Sequence, residues 1–212
     1  MIISHKHKFI FLKTVKTAGT SIEIALSKHC GPDDIITPIS PEDEIIRKEL
    51  GYQGPQNFKT PKIKFYNHMP ATEIKANIDP EIWDSYFKFC FVRNPWDRAV
   101  SLYYYLHQSE PRPSLSEFIG SGQLNRLLQG GLSIYTIDGQ IAVDRVCQFE
   151  KITEELEAIR IKLDIAETLE LPNAKSRFRQ DKRSYRDLLS EDDKAKIARR
   201  LAEEIRLFDY QF

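Results

Sequence analysis

Directly after the apolar run FIFL at 9–12, the chain reads KTVKTAGTS, from Lys13 to Ser21. Small and hydroxylated residues at the exit of a strand leave backbone N–H groups uncovered, and the free N–H groups that open a helix attract anions. Gly19 permits close backbone approach, so the N–H groups of Thr17, Ala18, Gly19, Thr20 and Ser21 can converge on an oxyanion. Lys16 adds a mobile point charge beside them. The lysine precedes the glycine, unlike the GxxxxGK[ST] order of nucleotide triphosphatases. Taken alone, the pattern equally describes an ordinary strand–loop–helix turn with solvated lysines.

A second stretch, YFKFCFVRNPWDRAVSLYYYL at 86–106, adds a cation and a hydroxyl. A buried strand ending at Val92 delivers Arg93 to the carboxyl edge of a sheet, where open α/β folds bind ligands. Asn94-Pro95 caps a helix running to about His107. Ser101 falls two turns on, nearly on the Asn94 face, so its hydroxyl can meet an anion held by Arg93. A salt bridge from Arg93 to Asp97 is the plainer alternative, and packing accounts for at least two of Tyr103, Tyr104 and Tyr105.

Strands are expected at 8–13, 34–39, 62–66, 86–92 and 143–149, with helices between several of them. That alternation implies an α/β fold with a central, mainly parallel sheet flanked by helices. Ile22, Ala25, Leu26 and His29 repeat at helical spacing before Gly31-Pro32. Ser190 caps a closing amphipathic helix carrying Ile197, Leu201 and Ile205. Gly51, Gly54, Pro55 and Pro61 mark a long loop. Five of the nine glycines lie between 120 and 139, a pattern expected of mobile turns over a cleft. With 212 residues and no linker, a single domain is expected over 1–212.

The 31 basic and 31 acidic residues cancel, which gives no electrostatic case for a nucleic-acid partner. No apolar run reaches the roughly 20 residues needed to span a bilayer. Cys30, Cys90 and Cys147 are widely spaced, without the CxxC pairs of zinc sites or a disulfide framework. A reduced, cytoplasmic protein with no membrane association is expected.

Together, VKTAGTS and FVRNPWDRAVSLYY resemble the PAPS-dependent sulfotransferases, in particular short, soluble relatives of the carbohydrate sulfotransferases. In that family a PKTGGTS-type loop grips the 5′-phosphosulfate of 3′-phosphoadenosine 5′-phosphosulfate (PAPS). An FVRNPWDRxVSxY-type strand–helix takes the 3′-phosphate. Here Val15 replaces Pro and Ala18 replaces the first Gly. The similarity continues through FEKITEEL at 149–156 to the ending LFDYQF. It implies a P-loop-like domain that transfers a sulfuryl group to a hydroxyl or amine of a small molecule or glycan. Adenosine 3′,5′-bisphosphate (PAP) is then the product, and no metal is needed.

On that resemblance Lys16 stabilises the bridging oxygen, Thr17 to Ser21 hold the 5′-phosphate, and Arg93 and Ser101 the 3′-phosphate. NHMP at 67–70 matches the place where related enzymes carry a histidine base, which makes His68 the candidate catalytic base. A turn-capping histidine is the alternative, and Glu150 is a weaker second base. KSRFRQDKRSYR at 175–186 holds six basic residues and one acid. In this family such a segment closes over the bisphosphate, a role that falls to Lys175 or Arg177. A nucleotide kinase or NTPase on a similar scaffold is opposed by the missing GxxxxGK[ST] and the lack of an acidic Mg²⁺ partner. A non-catalytic nucleotide-binding module is opposed by the presence of both Lys16 and His68.

Overall fold

The computed structural model describes residues 1–172, 181 and 183–212, so Lys175 and Arg177 lie outside the described residues. Strands β1 (Ile2–Ser4) and β2 (Phe9–Leu12) open the chain, followed by α1 (Gly19–Ser27), β3 (Ile35–Ile36) and α2 (Pro41–Glu49). Helices α3 (Ala71–Asn77) and α4 (Pro80–Ser85) precede β4 (Phe87–Val92) and α5 (Pro95–Leu106). Then come α6 (Leu115–Gly120), α7 (Asn125–Gln129), α8 (Leu132–Tyr135) and a small hairpin, β5 (Thr136–Ile137) with β6 (Gln140–Ile141). Strand β7 (Arg145–Gln148), α9 (Ile152–Lys162), α10 (Tyr185–Leu188), α11 (Glu191–Arg200) and α12 (Ala202–Phe208) complete the order. None of the helices among the described residues is long and apolar enough to cross a membrane.

The main sheet runs β3-β1-β2-β4-β7. Strands β2, β4 and β7 are parallel to one another, while β1 runs against both of its neighbours. Both faces of the central parallel strands are covered, which explains the apolar runs FIFL in β2 and FCFV at the end of β4. Phe9, Phe11, Phe89 and Phe91 pack with Ile22, Leu26, Leu156 and Ile159, from α1 and α9. The alternate residues Ile10, Leu12, Cys90 and Val92 pack with Trp96, Ala99 and Val100 of α5. The expected architecture is therefore present, with one antiparallel strand inserted.

Three expectations change. Residues 62–66 are not a strand of the sheet; Thr60 N–H donates to the Ile63 carbonyl (2.8 Å) and Phe65 N–H to that of Phe58 (2.7 Å), so the segment satisfies itself locally. The glycine-rich stretch is largely helical. There Gly130 and Gly131 answer to crowding: a Cβ would meet Val15 Cγ2 at 2.2 Å on the first and the Leu127 carbonyl at 2.6 Å on the second. The closing helix is two helices, because the backbone leaves helical geometry at Leu201 (φ −111°, ψ 25°).

Because β2, β4 and β7 are parallel, their carboxyl ends open onto the same edge. Each continues into a turn and a helix: residues 13–18 into α1, Arg93-Asn94 into α5, and Phe149–Lys151 into α9. At α5 the Asn94 side-chain oxygen accepts from the N–H groups of Trp96 (3.1 Å) and Asp97 (3.4 Å), with Pro95 in the first turn. That cap fixes where Arg93 leaves the strand.

Candidate active site

A cleft of about 440 Å³ lies along this edge, lined by all residues from Lys13 to Ser21 together with His68, Arg93 and Ser101. Tyr105, Phe149, Ile152, Leu171 and Pro172 complete the wall. The structure thus brings Lys16 to Ser21, His68, Arg93 and Ser101 to one cleft, while Glu150 is not part of its wall.

The loop is held from below. Lys13 is buried, with Nζ 2.9 Å from Glu23 Oε2, and Arg47 approaches the other carboxylate oxygen at 3.4 Å. Burial raises the Glu23 pKa, but Lys13, the amino group of Met1 and Arg47 outweigh it and bring the carboxyl down to about 2. A Cβ on Gly19 would meet Lys13 Cγ at 2.7 Å. The glycine therefore makes room for the lysine stem beneath the loop. The Thr14 hydroxyl donates to the Phe91 carbonyl, and Thr17 Oγ1 lies 2.8 Å from Thr14 Oγ1, which ties the loop to β4. The Thr17 hydroxyl is thus engaged within the loop, with Thr14.

Lys16 and Ala18 both have left-handed backbones, with φ 64° and 60°. Such turns fold successive N–H groups into a concave nest, and the first N–H groups of α1 lack intrahelical acceptors. Left-handed backbone costs a residue with a Cβ roughly 1–2 kcal/mol. Ala18→Gly should therefore stabilise the fold by about 0.5–1 kcal/mol, allowing for the greater freedom of glycine in the unfolded chain. Calorimetry should show a Tm higher by roughly 1–4 °C. An unchanged or lower Tm would mean that Ala18 carries no such strain.

Two cationic residues, Lys16 and Arg93, line the cleft. Lys16 Nζ lies 4.2 Å from the centroid of the Tyr105 ring, a cation–π contact. Arg93 stacks on Phe149, its guanidinium carbon 4.1 Å from the ring centroid. Asp97 accepts from Arg93 Nε (2.8 Å) and Nη2 (2.6 Å), while Nη1 reaches the Lys16 carbonyl at 3.4 Å. The salt bridge and the cleft position therefore coexist: Asp97 orients the fork and the Nη1 edge faces the loop. Ser101 shares this wall. Of the three tyrosines, Tyr103 and Tyr104 are buried and Tyr105 faces the cleft.

His68 enters from the loop before α3 with φ 62°, and its Nδ1 lies 2.7 Å from the Lys13 carbonyl. A carbonyl only accepts, so Nδ1 carries the proton, and the neutral ring presents Nε2 as an acceptor. Burial, reinforced by the Lys13 charge, lowers the His68 pKa from the ordinary 6.5 to about 4. The imidazole is neutral at pH 7. Glu150, the second candidate base, is engaged elsewhere: it accepts from Asn94 N–H (2.5 Å) and from the Tyr210 hydroxyl (3.3 Å).

Sequence reasoning missed the supports of this site. Glu23 lies between Ile22 and Ile24 in an apolar helix, and Arg98 lies inside WDRAV; an isolated charge on a buried face signals a buried partner. Phe149 and Tyr105 carried no signal that separated them from packing aromatics.

A protein from Archaeoglobus fulgidus, described as an uncharacterized protein, is 30% identical over 108 residues, which span 49% of this chain and 88% of that protein. The fold is similar to the crystal structure of mouse sulfotransferase SULT7A1 complexed with PAP, with a TM-score of 0.54 and 16% identity, covering 96% of this chain and 87% of that one. Residues 1–129, more than half the chain and including both strand–loop–helix motifs and His68, match the family model described as Sulfotransferase family, so the chain belongs to the sulfotransferase family.

Proposed function

We propose that the chain transfers a sulfuryl group from PAPS to a hydroxyl or amine of a small molecule or glycan. The observation that carries this is one cleft lined both by the 16–21 loop with Lys16 and by Arg93 and Ser101. A donor phosphorylated at both 5′ and 3′ needs two such places. The 5′-phosphate rests on the N–H groups from Thr17 to Ser21, and the 3′-phosphate on Arg93 and Ser101. Phe149, Ile152 and Leu171 offer apolar surface to the purine. In the transfer, the acceptor oxygen attacks sulfur in line while the bond from sulfur to the bridging oxygen breaks. Lys16 compensates the charge on the leaving phosphate, and His68 Nε2 takes the acceptor proton. Side chains supply the charge, so no metal enters the proposal.

Residues 1–212 act as one domain in this proposal, since helices near the end of the chain support the loop near its start. The three cysteines are buried and unpaired, which favours the reducing cytoplasm.

The experiment is thermal stabilisation by nucleotides. A ligand at 100 times its Kd raises native stability by about 2.7 kcal/mol. PAP should raise Tm well above the effect of AMP, ADP or ATP at equal concentration. AMP leaves Arg93 without its phosphate, and a charge-assisted hydrogen bond worth roughly 1.5–3 kcal/mol sets an affinity gap of at least about tenfold. The double variant Arg93→Ala, Ser101→Ala should close that gap, and magnesium should change little. Tighter binding of ATP than of PAP, with a magnesium requirement, would replace this proposal with a kinase.

A further inference from the structure

We propose that Arg98 and Glu204 are positioning residues that set donor affinity by fixing the backbone from which the anion-binding loop starts. The inference rests on the loop being the 5′-phosphate site. Arg98 is 1% exposed and absent from the cleft wall, so it touches no ligand there. Its Nε donates to the Val15 carbonyl at 2.7 Å. Nη1 lies 2.9 Å from each Glu204 carboxylate oxygen, and Nη2 donates to the carbonyls of Gly130 (2.8 Å) and Leu127 (3.2 Å). Every N–H of the guanidinium is thereby used, in a planar fork that an ammonium cannot reproduce. Val15 N–H in turn donates to Gly130 at 2.8 Å, so both backbone polar groups of Val15 are pinned. The next residue is Lys16, in its left-handed turn.

The crowding at Gly130 and Gly131 belongs to the same device. A Cβ on Gly131 would come 2.7 Å from Glu204 Oε1 and 3.0 Å from Arg98 Nη1. Both glycines lie past residue 129, and Glu204 sits on α12, so part of the loop's support comes from beyond the segment matched by the family model. Glu204 is buried, and an unpaired carboxylate there would be costly, so the pair holds as a unit. A displaced start of the loop moves the N–H groups that meet the phosphate, and errors of about 1 Å in such positioning reach a hundredfold in rate.

The test uses the full chain with Arg98→Lys and Glu204→Gln, each studied well below its Tm. Two readouts are taken: amide hydrogen exchange at Val15 and Ile22, whose N–H groups donate to the carbonyls of Gly130 (2.8 Å) and Ala18 (3.1 Å), and PAP affinity by calorimetry. Exchange at these amides should rise at least about tenfold relative to Phe89 and Phe91 in β4, and PAP Kd should weaken about tenfold. If Arg98→Lys does not fold, Glu204→Gln carries both readouts. A lowered Tm with unchanged loop exchange and unchanged PAP affinity would reduce the pair to a core salt bridge and overturn the inference. Failure of the wild-type chain to bind PAP would instead sink the donor assignment, and loop exchange alone would then decide whether the clamp acts on the loop.

Discussion

Lys16→Ala should cut turnover about 10³-fold while PAP binding stays within a few-fold of wild type. Removal of a single preorganised stabiliser of transition-state charge costs about 10²–10³ in kcat, and a full ammonium belongs at the upper end. The split follows from when the charge appears. Negative charge builds on the bridging oxygen only as the bond to sulfur breaks, whereas the phosphates of PAP meet loop N–H groups and Arg93 in the ground state. The Lys16 ammonium rests over the Tyr105 ring, a soft contact that the sulfuryl oxygens can outcompete. Turnover with radiolabelled PAPS and calorimetry with PAP separate the two effects. Near-normal turnover would remove Lys16 from the mechanism; an equal loss in both measurements would make it a ground-state binder.

His68→Ala should lower transfer to a hydroxyl acceptor by about 10²–10⁴-fold, with donor affinity almost unchanged. The hydrogen bond from Nδ1 to the Lys13 carbonyl survives only in the proton-bearing tautomer, so the base is preset at Nε2. The pH dependence follows from the lowered pKa. The reactive form is the neutral ring, which persists down to about pH 4, so activity should hold through pH 6 and fall only in the acid. Bound phosphates, being anionic, stabilise the imidazolium and move that limb upward. An NMR titration of the ring should therefore show a higher pKa with PAP than without. The stability sign is also fixed. Between the unfolded value of about 6.5 and the folded value of about 4, the unfolded chain binds the extra proton. The contribution of neutral His68 to stability is thus complete above that window and is lost as pH falls through it. Unchanged rates in the alanine variant would return His68 to a turn-capping role.

The motor parts of the site were legible because each carries a local signature. Lys16, Gly19 and Ser21 follow a strand; Arg93 ends one; Asn94-Pro95 announces the helix that presents Ser101. The supports were not, because their partners are remote in sequence. Nothing near Lys13 says that it pairs with Glu23 beneath the loop, or that burial beside this lysine lowers the histidine pKa. Gly130 and Gly131 illustrate the converse error: glycine in a sequence suggests freedom, whereas here a side chain would strike Val15 or the Leu127 carbonyl. Residues 62–66 alternate in a way that suits a strand, but local hydrogen bonds satisfy them and β1, only three residues long, joins the sheet instead. Short strands leave too little periodicity to read.

The link from Arg98 and Glu204 to Val15 also orders events in time. Val15 leaves the ribosome long before Glu204, so the hydrogen bonds that join the early loop to α12 through Arg98 are completed only once α12 has docked. Contacts between residues so far apart in sequence form late, because the intervening chain must first be ordered. On the proposed role of this pair, a chain without α12 carries an unfinished anion cradle, and the ability to hold PAP arrives only when α12 docks.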